Sequence, residues 1–292
     1  MKSAGRLEIA LWWALVGAVV LCFAPVLLVM GGLWAISGGL ENRAIALIAV
    51  AYLVSRQKNL LGAPPAAAVF QALGLFVLAC GLFLVQLPAL SLQNLAFCLA
   101  LTGLALFRWG RTAVDSLARP LLIVAMIMSI NGLADGWLPA YTPVVQWLQH
   151  LVAGLGAYLL WMAGLPVVLK ETVITVGGLG GVDVNANCSG IRSLLEVGTL
   201  AAVAIMTISR RSWLDNLRYF LLCELVVLAL NVLRILLLAV AIAYTNPHTF
   251  EALHEGWGAS LYGSGISAVI VLFTSWYFQW NPFDSQSGSA SA

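Results

Sequence analysis

From Ile9 to Trp34 the chain runs through 26 residues without an Asp, Glu, Lys or Arg. A helix needs roughly 20 apolar residues to cross a bilayer, and an uncharged run of this length has no place on a water-soluble domain. The pattern recurs. About Ala66 to Val85, Leu92 to Phe107, Ile191 to Ile208, Leu217 to Tyr244 and Ser260 to Phe278 read as further spans, Leu121 to Ile130 as part of another, and Ala44 to Val54 as a short one. Pro25 marks an expected kink in the first. Charged residues make up 9% and hydrophobic residues 62%, against about 25% charged in an ordinary soluble domain. The expected fold is an all-α polytopic membrane protein, a single integral membrane domain over residues 1–280. Residues 281–292 form a polar tail expected to be disordered. Met1 to Arg6 followed by an apolar run has the outline of a signal peptide. The run continues well past a normal h-region and more spans follow, so it reads as an uncleaved first helix.

The net charge of +2 carries no nucleic-acid signature; the bilayer is the partner, and the placement of basic residues orients the chain in it. Arg56 and Lys58, then Arg108, Arg111 and Arg119 in one loop, then Arg210, Arg211 and Arg218 mark three cytoplasmic loops. With the N-terminus inside, the third fits only if Tyr141 to Gly164 does not fully cross. That segment carries Gln146, Gln149 and His150 and re-enters or lies in the interface. The count is then about eight transmembrane helices with both termini cytoplasmic. Asn131 to Trp137 reads as an interfacial turn. Val167 to Val176 is rich in β-branched residues and is followed by Gly177-Gly178 and Gly180-Gly181. It reads as a short extracytoplasmic β-hairpin that delivers the chain to Asn187-Cys188-Ser189-Gly190.

Four of the five cysteines, Cys22, Cys80, Cys98 and Cys223, lie inside apolar runs, where cysteine packs as a small hydrophobe. Cys188 alone has polar neighbours, at the mouth of a helix whose dipole favours thiolate. It is a candidate nucleophile; the alternative is a structural cysteine near a helix start. Arg234 lies amid Val232-Leu233 and Ile235-Leu236, where a charge costs at least about 2.5 kcal/mol and faces a bundle interior or a wet cavity. It either serves a site or pairs with Glu224 for assembly, and Asn231 shares its face. His254 lies in an outer loop before Glu255-Gly256-Trp257, with His248 and His150 as competitors and simple solvation as the alternative. Arg192, one turn into its helix, reaches headgroups or a substrate carboxylate, or is neutralised by Glu196. A cysteine, a histidine and an arginine together suit attack on a peptide carbonyl: thiolate as nucleophile, imidazole as proton carrier, guanidinium at the oxyanion. No Cys/His metal spacing and no cofactor motif appears.

The run Asn187-Cys188-Ser189-Gly190-Ile191-Arg192-Ser193-Leu194 resembles the cysteine motif of the exosortase/archaeosortase family, and Asn231-Val232-Leu233-Arg234 resembles its intramembrane arginine motif. His254, before the last helix, stands where bacterial members carry histidine. The resemblance is best over about residues 165–280. It implies a membrane cysteine peptidase/transpeptidase with Cys188, Arg234 and His254 as catalytic residues and, more distantly, Arg192 and Asn231 as substrate-positioning ones. It further implies exported substrates with a tripartite C-terminal sorting signal (a Pro-Glu-Pro-type motif, a hydrophobic helix and a basic tail). They would be cleaved through a thioacyl intermediate at the outer face of the cytoplasmic membrane and passed to an acceptor. The competing readings are a transporter, marked by Glu224, Asn231 and Arg234 within one span, and a scaffold subunit of an envelope assembly system with a passive Cys188.

Overall fold

The computed structural model describes residues 2–37, 40–57, 60, 63–132, 142–178 and 180–279. It is helical apart from one small sheet, and it divides into two compact units, Met1–Leu133 and Ala134–Ala292.

The first unit holds α1 (Lys2–Ser37), α2 (Leu40–Ser55), α3 (Ala68–Leu84), α4 (Leu90–Trp109) and α5 (Arg111–Gly132). Helix α1 continues through Pro25. Val19, Phe23, Val26 and Met30 of α1 pack with Leu78, Ala96, Ala100, Leu104 and Met128 in one core. Helices α3 and α4 approach so closely that a Cβ on Gly103 would lie 2.6 Å from the Leu78 amide nitrogen, and one on Gly74 2.5 Å from that of Phe107. Small residues permit this backbone approach between apolar helices. Asn94, buried in α4, donates to the Met128 carbonyl at 2.9 Å and ties α5 to the pair. The basic loop expected around Arg108, Arg111 and Arg119 shrinks to one residue: Gly110, at φ +56°, ends α4, and α5 starts at Arg111. Charged side chains made the first turns of α5 read as loop, although Asp115 and Arg119 are compatible with a helix.

The second unit holds α6 (Pro143–Met162), β1 (Val167–Lys170), β2 (Val173–Val176), β3 (Gly180–Asp183), α7 (Ile191–Thr207), α8 (Trp213–Tyr244), α9 (Pro247–His254) and α10 (Trp257–Phe278). Most of the expected turn at Asn131–Trp137 lies outside the described residues, as do residues 281–292. Tyr141–Gly164 contains the regular 20-residue helix α6.

In place of a two-stranded hairpin the chain forms a three-stranded antiparallel sheet, β1-β2-β3. Val167 faces Val176 across the first pair and Val173 faces Asp183 across the second. The third strand reads as a turn in the sequence because it opens with two glycines. Gly180 is there for contact rather than for turning: a Cβ on it would lie 2.9 Å from the Ile242 carbonyl oxygen of α8. Ile174, Val176, Val182 and Val184 bury against Leu148 and Val152 of α6 and Ile235 and Leu238 of α8.

Among the described residues, five helical segments are long and apolar enough to cross a membrane: Ala10–Trp34, Leu90–Trp109, Arg111–Ser129, Trp213–Tyr244 and His248–Phe278. The last comprises α9 and α10. Helix α3, at 17 residues, is apolar but shorter. This is a multi-pass membrane protein with a small sheet.

Candidate active site

Cys188 lies in the turn between β3 and α7, and each neighbour has a local task. Its amide donates to the Asn185 carbonyl at 3.0 Å and to Asn185 Oδ1 at 3.1 Å. Ser189 Oγ donates to the Ala186 carbonyl at 2.7 Å and accepts from the Ile191 amide at 3.3 Å. Gly190 then adopts φ +87° as the cap of α7, a conformation that costs a non-glycine residue roughly 1–2 kcal/mol. Asn-x-x-Cys-Ser-Gly is therefore the local code for a tight turn that presents a thiol at a helix start. Gln149 of α6 donates to the Val184 carbonyl at 3.1 Å and steadies the strand that leads into it.

The thiol is only 3% exposed. Its Sγ lies 3.3 Å from Nε2 of His254, 66 residues away. His254 is the last residue of α9, a helix capped by Asn246, whose side chain accepts from the Thr249 amide at 2.8 Å. The imidazole stacks on Phe250, one turn earlier, at 5.3 Å and 12°. Its Nδ1 faces the carboxylate of Glu255 at 3.6 Å, a side chain 82% exposed. That distance is electrostatic contact rather than a hydrogen bond. It favours the tautomer with the proton on Nδ1 and the lone pair of Nε2 turned to sulfur.

Arg234, on α8, donates from Nη2 to the His254 carbonyl at 3.0 Å. Its guanidinium sits 4.9 Å over the ring of Tyr262 in α10. One turn before it, Asn231, 1% exposed, donates from Nδ2 to the Cys188 carbonyl at 3.1 Å. The Oδ1 of Asn231 accepts from the Tyr262 hydroxyl at 3.3 Å. Both ends of the Asn231 amide are thus engaged within the protein. Burial pushes the Cys188 thiol above its usual range; the Arg234 charge pulls the other way, and Asp183 and Glu255 add to the rise. Burial thus favours the protonated thiol at rest, with His254 Nε2 at 3.3 Å from its sulfur.

Arg192 pairs with Glu196 at 3.8 Å along α7. His150 and His248 are exposed. Glu224 lies ten residues before Arg234, about 15 Å along α8, too far to pair with it; it sits against Gly198 of α7. A cavity of about 330 Å³ opens between α8 and α10, lined by Leu233, Leu237, Leu253, Leu261 and Ile266, with Arg234 and Tyr262 in its wall.

Tyr262 was not singled out from the sequence. The available signal was a tyrosine near the start of an otherwise apolar span, where a buried hydroxyl calls for a partner.

Neither a curated protein nor a solved structure matches the chain. The transmembrane exosortase family matches it over residues 34–273, a stretch that takes in the cysteine turn, the arginine helix and the histidine. The chain belongs to the transmembrane exosortase family.

Proposed function

We propose that this protein is a membrane cysteine peptidase/transpeptidase that cleaves the C-terminal sorting signal of exported proteins at the outer face of the cytoplasmic membrane. The substrate tail is tripartite: a short motif, a hydrophobic helix and a basic end. Residues 1–280 form one membrane domain of about eight spans, with both termini cytoplasmic and Cys188 facing outward. The observation that carries the reading is the 3.3 Å contact between Cys188 Sγ and His254 Nε2. A thiol and an imidazole from distant segments meet at hydrogen-bond range beside a charged guanidinium.

In this reading His254 Nε2 takes the thiol proton as sulfur attacks the scissile carbonyl. Proton removal is concerted with attack, because burial holds the thiol neutral at rest. The C=O electron pair moves to oxygen, and Arg234 stabilises that oxyanion with the N–H groups not committed to the His254 carbonyl. Collapse breaks the C–N bond; the imidazolium returns the proton to the leaving amine, and the new C-terminus stays on Cys188 as a thioester. An acceptor amine or water then attacks the thioester carbonyl, and sulfur leaves and regains a proton. Arg192 and Asn231 are the substrate-positioning residues of this reading, Asn231 acting through the Cys188 carbonyl that it holds.

The test is an immunoblot of an N-terminally tagged exported protein with such a tail, co-expressed with wild-type enzyme, with Cys188→Ala, and alone. A shortened product only with wild type is expected, and mass spectrometry of its new C-terminus identifies the acceptor. A product that persists with Cys188→Ala overturns the assignment and leaves a transporter or scaffold role with a passive cysteine.

A further inference from the structure

We propose that Tyr262 is a positioning residue that fixes the Cys188 turn and the Arg234 guanidinium to each other from α10. This rests on the peptidase reading for its meaning, and on three contacts for its substance. The Tyr262 ring is the platform under Arg234, at 4.9 Å. Its hydroxyl donates to Asn231 Oδ1 at 3.3 Å, and Asn231 Nδ2 holds the Cys188 carbonyl at 3.1 Å. Ser193, in the first turn of α7, lies beside the same hydroxyl. One side chain therefore touches the arginine, the asparagine and the helix that the cysteine turn opens.

The arrangement leaves little slack. Asn231 is pressed on the turn closely enough that a Cβ on Gly190 would lie 2.8 Å from its Nδ2. Arg234 is engaged at two points, the His254 carbonyl and the Tyr262 face. The ring and the hydroxyl of Tyr262 do separable jobs: the ring sets where the positive charge sits, and the hydroxyl sets where the sulfur sits. Four charged or titratable groups face the thiol: Arg234 from α8, His254 from α9, Glu255 just beyond it and Asp183 from β3. Of these, Tyr262 touches only Arg234, so loss of its ring acts on the thiol through that one charge.

The experiment uses the full-length chain in detergent with Cys22, Cys80, Cys98 and Cys223 replaced by alanine. Iodoacetamide alkylation of Cys188 is followed from about pH 6 to 11, a range that brackets the ordinary thiol. Thermal unfolding is recorded in parallel. Tyr262→Phe keeps the ring and drops the hydroxyl. It should leave the alkylation midpoint in place and raise the plateau rate about fivefold as the turn loosens around a buried sulfur. Tyr262→Leu drops both, and should also raise the midpoint by about one unit, because an opposite charge at close range shifts a thiol by that order. The midpoint belongs to the Cys188–His254 pair as a unit, so the comparison is between variants. Two results overturn the proposal: both variants match the parent in midpoint and plateau, or both shift the two alike and in step with a lowered melting temperature. Alkylation needs no substrate, so a failure of the peptidase reading, with no cleavage in any lane, is separable from a failure here. Where cleavage is measurable, Tyr262→Phe should lower kcat and leave KM unchanged.

Discussion

Gly190→Ala isolates the turn that presents the thiol. Gly190 sits at φ +87° and ψ 1°, in the left-handed region that costs alanine roughly 1–2 kcal/mol. Its new Cβ would also lie 2.8 Å from Asn231 Nδ2 and 2.9 Å from Asn231 Cγ. Asn231 is 1% exposed on α8, so relief comes from pushing its amide off the Cys188 carbonyl, a bond worth about 1 kcal/mol. The sum is about 2–3 kcal/mol, or a fall in melting temperature of roughly 4–12 °C at the scale of domains this size. Cleavage should fall about a hundredfold, the order expected when a nucleophile is displaced by an ångström. In an Asn231→Ala background the clash is gone and only the backbone strain of roughly 1–2 kcal/mol remains. Gly190→Asn tolerates the left-handed backbone but carries the same Cβ, so it should retain the part assigned to Asn231, about 1 kcal/mol. A Gly190→Ala enzyme that melts and cleaves like wild type refutes the reasoning. An equal penalty in both backgrounds refutes the part assigned to Asn231.

His254→Ala should lower cleavage by about 10² to 10⁴ and leave thermal unfolding close to wild type, while His248→Ala and His150→Ala, both exposed, leave cleavage unchanged; loss of activity in His248→Ala with retention in His254→Ala would reverse the assignment. Arg234→Leu should give a folded enzyme, by gel filtration and thermal melt, with no detectable cleavage; a folded variant that still cleaves removes Arg234 from the chemistry. In the first unit, Gly103→Ala places a Cβ 2.6 Å from the Leu78 amide and should destabilise the α3–α4 pair by about 1–3 kcal/mol, and an unchanged melt would show that those helices separate at no cost.

What the sequence makes legible follows from which forces act locally. An uncharged run such as Ile9–Trp34 has one stable environment, so α1 is readable from composition alone. Cys188, Arg234 and His254 stand out because each is chemically out of place, and the fold brings the thiol to 3.3 Å from the imidazole and the guanidinium to the His254 carbonyl. The third strand is illegible for the opposite reason. Gly180 is fixed by a contact with Ile242, 62 positions later, which no local pattern records. Helix α5 suffers from competing signals: it starts in a segment whose charges read as loop, whereas α7 lies where the apolar run from Ile191 places it. Tyr262 matters only through partners on α7 and α8, so its place in the site appears once the helices are assembled.

The balance at Arg234 bears on why an arginine is there. Placing one among leucines costs about 2.5–3.5 kcal/mol at a helix centre. The charge-assisted bond to the His254 carbonyl returns about 1.5–3 kcal/mol, and the Tyr262 face about 0.5–2. These terms nearly cancel, so the residue contributes little net stability, and a leucine would serve the packing between α8 and α10 as well. What leucine cannot supply is a fixed positive charge close to a buried thiol. Burial pushes that thiol up, and Arg234 is the charge that opposes the rise. Held at two points before any substrate arrives, the guanidinium needs no reorganisation as negative charge develops beside it, which is where such a charge contributes most to a reaction. The contacts of Arg234 are therefore close to neutral for folding and, in the proposed peptidase reading, directed at chemistry. That is the pattern expected if the site was retained to make a thiolate at the moment of attack.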